Sequence, residues 1–224
     1  MDFQYISLGH DCSTAAVLKD SGLRNAAFPF DWAETSFKAL CACIEDNFKQ
    51  FHQNVQLNST KQRVIDTYGI QYPHDYPNII SSNYSNIDNN FYAEHKICDD
   101  YEKYTDQVLE KYGRRIERFR NAMDDRAKPI IFLFRGFYAH ALEIKKIIER
   151  VYNRENVIVV VGTKEVISLA QINTNPAIVV CYPEENEKWN ELSVWTKAID
   201  IAKQRYPYLM AQPKTTIKRF GLSY

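Results

Sequence analysis

Glycine is scarce in this chain, with 7 residues in 224. The scarcity goes with the absence of any glycine-rich dinucleotide fingerprint, P-loop or G-x-S-x-G elbow, and no H-E-x-x-H zinc motif is present either. No apolar run approaches the roughly 20 residues that cross a bilayer, so no membrane partner is expected. An excess of one charge is also lacking. The 28 Lys and Arg residues balance 28 Asp and Glu, so no global field draws nucleic acid or an anionic surface. The five cysteines include no C-x₂-C pair, since Cys41 and Cys43 stand two apart. Neither a zinc ribbon nor a disulfide framework is therefore expected, and Cys41, Cys43 and Cys181 read as buried free thiols. The acids and the five histidines show no metal-ligand spacing, and no cofactor is expected. The first residues lack a basic stretch followed by an apolar one, so no signal peptide is expected and the location read is cytoplasmic.

What is present is organised around Ser7 to Trp32, SLGHDCSTAAVLKDSGLRNAAFPFDW. An apolar run, Phe3–Leu8, breaks at Gly9 and gives way to a helix over about 13–21, closed by Gly22. The chain then turns a rigid Pro29-Phe30-Asp31-Trp32 corner. Cys12 falls at the strand-to-helix turn, where unpaired N–H groups and about half a positive charge favour a thiolate. The competing reading makes it a small buried hydrophobe.

Residues 33–51 repeat apolar positions at steps of three and four, predicting an amphipathic helix. Residues 52–95 are irregular, with an Asn- and Ser-rich segment that suggests a lid. Within them His74 stands beside Asp75, an imidazole able to accept a proton at neutral pH or simply a surface histidine in a turn. A charged helix over 98–123 carries Arg114, Arg115 and Arg118. These are either a fork for an anion or, by default, a solvated face paired with acids.

The clearest architecture follows residue 129. Apolar runs at 130–134, 157–161 and 177–181 alternate with helical stretches at 139–152, 164–172 and 189–206. That order predicts a parallel sheet covered on both faces. With the N-terminal strand added, the fold class is α/β, a three-layer sandwich carrying a helical and irregular insertion. The whole, residues 1–224, reads as one domain. Ligands of such sheets sit beyond the carboxyl ends of the strands. Cys12, Arg135, Gly136 and residues 162–164 all follow strands and could share one rim. The basic tail from 211 packs back or frays.

The opening stretch resembles the N-terminal signature of a bacterial and viral domain family of unknown function described as papain-like cysteine peptidases. The likeness rests on S-L-G, x-x-C, L-R and P-F-D-W. It continues through Asn47-Phe48 with Phe51, His74-Asp75, and Tyr112-x-Arg114-Arg115-Ile116-x-Arg118-Phe119. The resemblance implies Cys12 as nucleophile, His74 as general base, and Asp75 or Asp31 as orienter of the imidazole; His10 departs from the small or polar residue of the pattern and offers a rival base. It implies acyl transfer to or hydrolysis of a small-molecule, peptide or acyl substrate. A papain-like fold would bring an antiparallel sheet, whereas the strand pattern here predicts a parallel one. The alternative function is a non-catalytic or transferase-like domain that holds a phosphorylated sugar or nucleotide through Arg114, Arg115, Arg118 and Arg135.

Overall fold

The computed structural model describes residues 2–79, 96–182 and 191–211. Its centre is a four-stranded, all-parallel sheet of β1 (Gln4–Ser7), β7 (Ile130–Arg135), β8 (Val157–Gly162) and β9 (Ile178–Cys181), in that spatial order. The three C-terminal strands are nearly continuous runs of β-branched and aromatic residues, as burial on both faces requires. Every side chain of β8 is buried.

Two apolar layers follow from the pleat. Ile6, Phe132, Phe134, Val159 and Val161 point to one face, packed by α2 (Phe37–Glu45), α3 (Thr105–Asp124) and α4 (Tyr138–Tyr152). Tyr5, Ile131, Leu133, Ile158 and Val160 point to the other, packed by α1 (Ser13–Asp20) and α6 (Leu192–Ala211), with Trp195 wholly buried. The parallel three-layer sandwich is present, and the sheet is not the antiparallel one that a papain-like description implies. No helix among the described residues is long and apolar enough to cross a membrane.

Four expectations shift in detail. The helix predicted over 33–51 is shorter: Ser36 caps α2 by accepting the Ala39 N–H at 3.2 Å. It ends where Asn47 and Phe48 take positive φ. Phe48 and Phe51 still reach the core, but from turns. The helix predicted at 164–172 begins later, as α5 (Leu169–Thr174), behind a Ser168–Gln171 capping box. This leaves 163–168 as a loop. The stretch 52–95 is not wholly irregular. Its described part holds an antiparallel sheet of β2 (Gln56–Leu57), β3 (Val64–Ile65) and β4 (Gln71–Tyr72), and β5 (Asn78–Ile79) pairs with β6 (Lys96–Ile97). Finally, α6 continues past Pro207. Residues 80–95, the core of the expected lid, and the tail from 212 lie outside the described residues.

Candidate functional site

The carboxyl end of β1 sets the site. Gly9 and His10 both take positive φ. A Cβ on Gly9 would stand 3.1 Å from the Thr35 Cβ and 3.3 Å from the Phe30 Cβ, so the turn requires glycine on two counts. The turn delivers Cys12 to the head of α1, where its side chain makes no cap bond. Asp11 does the capping: it accepts the Ser13 N–H at 2.9 Å and the Ser13 hydroxyl at 2.5 Å. It also pairs with Arg135 at the end of β7. Burial works against the Asp11 charge. His10, Ser13 and Arg135 outweigh it and hold the carboxyl well below the usual range.

Asp11 reverses the expectation for Cys12. The helix start was expected to depress its thiol, but burial raises it, and the neighbouring Asp11 charge raises it further. Arg135 opposes this only weakly. Alkylation of Cys12 by iodoacetamide, followed by mass spectrometry, should therefore climb at higher pH than that of free cysteine run alongside. Asp11→Asn, which removes the like charge and keeps an oxygen for Ser13, should bring the profile down. A wild-type rate already level at neutral pH would contradict this assignment.

His74 lies on the exposed side of the turn after β4. Although exposed, its imidazole is partly desolvated by the groups packed around it, which lowers its pKa; Arg63 and Lys111 act in the same direction and Asp75 and Glu34 oppose them, so it is neutral at pH 7. Glu34 was not singled out from sequence. Arg63 clamps it at 3.0 and 2.7 Å, and backbone bonds to Gln71 tie its strand-like stretch to β4. Its charge acts on both Cys12 and His74.

The two carboxylates suggested as orienters have other partners. Asp75, almost fully buried, takes Lys111 and, at 2.8 Å, the Tyr112 hydroxyl. Asp31 accepts Arg24 at 2.9 and 2.8 Å and the Phe28 N–H at 3.1 Å, which locks the proline corner. The four arginines do not gather. Arg114 pairs with Glu110, Arg118 donates to the Ala27 carbonyl at 2.9 Å, and Arg115 lies 4.9 Å above the Tyr112 ring. Arg135 is with Asp11 on the far rim.

That rim holds a cleft of about 590 Å³ beyond the ends of β1, β7 and β8. Arg135, Gly136, Thr163 and Lys164 line it, in keeping with the strand-end rule, and so does His10. Sequence reading missed Phe37, Phe137 and His140, which arrive on separate helices and a loop. No group of three or more His, Cys, Asp or Glu among the described residues could hold a metal ion.

Against known proteins, the chain is 27% identical over 170 residues to an uncharacterized protein of Acanthamoeba polyphaga mimivirus, covering 66% of this chain and 68% of that one. No solved structure matches. The model of the family described as "Putative papain-like cysteine peptidase (DUF1796)" matches residues 3–164, from β1 past the end of β8, and the chain belongs to that family.

Proposed function

We propose that the chain is a cysteine-dependent hydrolase or acyltransferase, with Cys12 as nucleophile and His74 as general base. The observation that supports it is the strap at Glu34 and Thr35, which bonds the His10 carbonyl in the Cys12 turn at 3.1 Å and pairs with Gln71 of β4, the strand that leads to His74, at 2.9 Å in both directions. At pH 7 a raised thiol and a lowered imidazole make a neutral pair, not a thiolate–imidazolium pair. The proton then moves during attack. The imidazole takes it from Sγ as Sγ bonds to the substrate carbonyl carbon, and returns it to the departing amine, alcohol or thiol. The acyl thioester left on Cys12 passes to water or to another acceptor. Backbone N–H groups at the head of α1 other than that of Ser13, which Asp11 takes, would hold the oxyanion. His10, beside Cys12 on the rim, is the rival base. Five free cysteines fit a reducing, cytoplasmic setting.

The test is incubation with p-nitrophenyl acetate, reading nitrophenol release and the intact mass together. Acetylation at Cys12 is expected, with release lost in Cys12→Ala and slowed at least about tenfold in His74→Ala. Slowing in His10→Ala instead would move the base to His10. Undiminished release from Cys12→Ala would overturn the proposal.

A further inference from the structure

The wall of the strand-end cleft is aromatic and carries balanced charge. Phe37 and His140 stack face to face, 3.7 Å between centroids and 3° between planes. Phe137 meets His140 edge-on at 5.0 Å and is 54% exposed, the large aromatic at the mouth. Phe134 forms the floor, folded so tightly under Gly136 that a Cβ there would come within 2.6 Å of its ring. A side chain at Gly136 would therefore have to displace that ring.

Two of the anion-attracting groups on the wall are already answered. Arg135 is held by Asp11. The head of α4, where an anionic ligand would be drawn, has its Tyr138 N–H taken by Glu165 at 2.7 Å. Burial lowers the His140 imidazole below its ordinary value, which leaves it neutral at pH 7. Arg135 has Asp11 behind it, and of the two other charged residues on the wall Lys164 is positive and Glu165 negative, so no single sign of charge dominates the cleft. Among the described residues, the hydroxyl of Thr35, on the wall and 4% exposed, has a buried Oγ1 with no hydrogen-bond partner. A volume of about 590 Å³ suits a drug-sized molecule.

We propose that this cleft binds a neutral aromatic acyl group, its ring against Phe137 and the Phe37–His140 stack and its carbonyl end toward Thr35 and the Cys12 rim. The proposal deepens the cysteine-enzyme reading by naming the class of acyl group that reading would act on. A ring in the cleft replaces water on four aromatic surfaces, and edge or offset contacts add to simple burial. An anion gains little, because it must displace Asp11 from Arg135 or Glu165 from the helix head.

Titration of the full chain with phenylacetamide, phenylacetate and phenyl phosphate, followed by ligand-observed NMR, tests this without turnover. Phenylacetamide is expected to bind more tightly than either anion. Phe137→Ala, an exposed position whose loss should not unfold the chain, should weaken it about tenfold. Binding that keeps this order while Cys12 never acylates would leave the cleft assignment standing and remove the enzyme reading. Tighter binding of phenyl phosphate, or phenylacetamide binding indifferent to Phe137→Ala, would overturn the cleft assignment whatever Cys12 does.

Discussion

Replacing Arg154 with methionine should destabilise the fold by about 4 kcal/mol, a loss built from several charge-assisted hydrogen bonds and the carbonyls they leave unpaired. Arg154 is wholly buried. Its Nη1 donates to the carbonyls of Ala122 at 2.5 Å, Met123 at 2.8 Å and Asp125 at 2.8 Å, and its Nη2 donates to that of Lys128. Those carbonyls are the open end of α3 and the loop that feeds β7. A cation at a helix C-terminus is favoured by the aligned peptide dipoles as well as by the bonds themselves. Methionine fills much of the volume and supplies no donor. Arg126 makes the reciprocal clasp, donating to Tyr152 at 2.6 Å and Asn153 at 2.8 Å at the end of α4, but in the open. Arg126→Met should therefore cost only about 1 kcal/mol, because water can replace it. Urea unfolding of both variants measures the contrast, and for a chain of this size Arg154→Met should lower Tm by roughly 10 °C. An Arg154→Met loss no larger than that of Arg126→Met would show that water reaches those carbonyls. Both clasps lie at the amino ends of the parallel strands, opposite the cleft, so this end can be rigid without constraining the site.

The fold was legible where burial wrote it into composition. The runs at 130–134 and 157–161 can only be strands covered on both sides, and they are β7 and β8. The helix at 13–21 ends within a residue of its predicted close. Legibility failed where apolar spacing continued past a backbone break. Phe48 and Phe51 keep the helical period of α2, yet positive φ at Asn47 and Phe48 has already ended it. Strand ends pointed to Arg135, Gly136 and Lys164, because topology alone puts them on one rim. Nothing local says that Phe37 at the start of α2 will stack on His140 in α4, since that meeting exists only after both helices dock on the same face. Cys12 shows a different limit. A helix head lowers a thiol only where the thiol is open to water and its neighbours are uncharged, whereas Cys12 is half-buried beside the Asp11 charge, which also takes the Ser13 N–H.

The larger pH effect is expected from a histidine that no motif marks. His52 is 2% exposed; its backbone N–H donates to the Asp66 carboxylate at 2.9 Å, and its Nε2 meets the Tyr76 hydroxyl at 2.7 Å. Its Nδ1 is buried with no partner, and the rings of Tyr72, Tyr76 and Tyr112 enclose it. Burial lowers its pKa from 6.5 to about 4, against the opposing pull of Asp75. The unfolded chain therefore takes a proton at this residue near 6.5 and the folded chain only near 4. Across that interval the unfolded state binds more protons, so stability falls as pH falls. The loss begins below 6.5, runs at about 1.4 kcal/mol per pH unit, and totals about 3 kcal/mol once pH reaches 4. Asp31 and Asp66, whose carboxyls burial raises, bind protons earlier in the folded state and act in the opposite sense at the acid end. The measurement is accordingly a difference: urea unfolding of the wild type and His52→Phe between pH 4 and 7. Phenylalanine keeps the ring packing and gives up the Tyr76 bond, so the variant should be less stable at pH 7. Between pH 6.5 and 4 it should lose less stability than the wild type, by an amount approaching 3 kcal/mol, and parallel curves would mean that His52 titrates with solvent access in the folded chain.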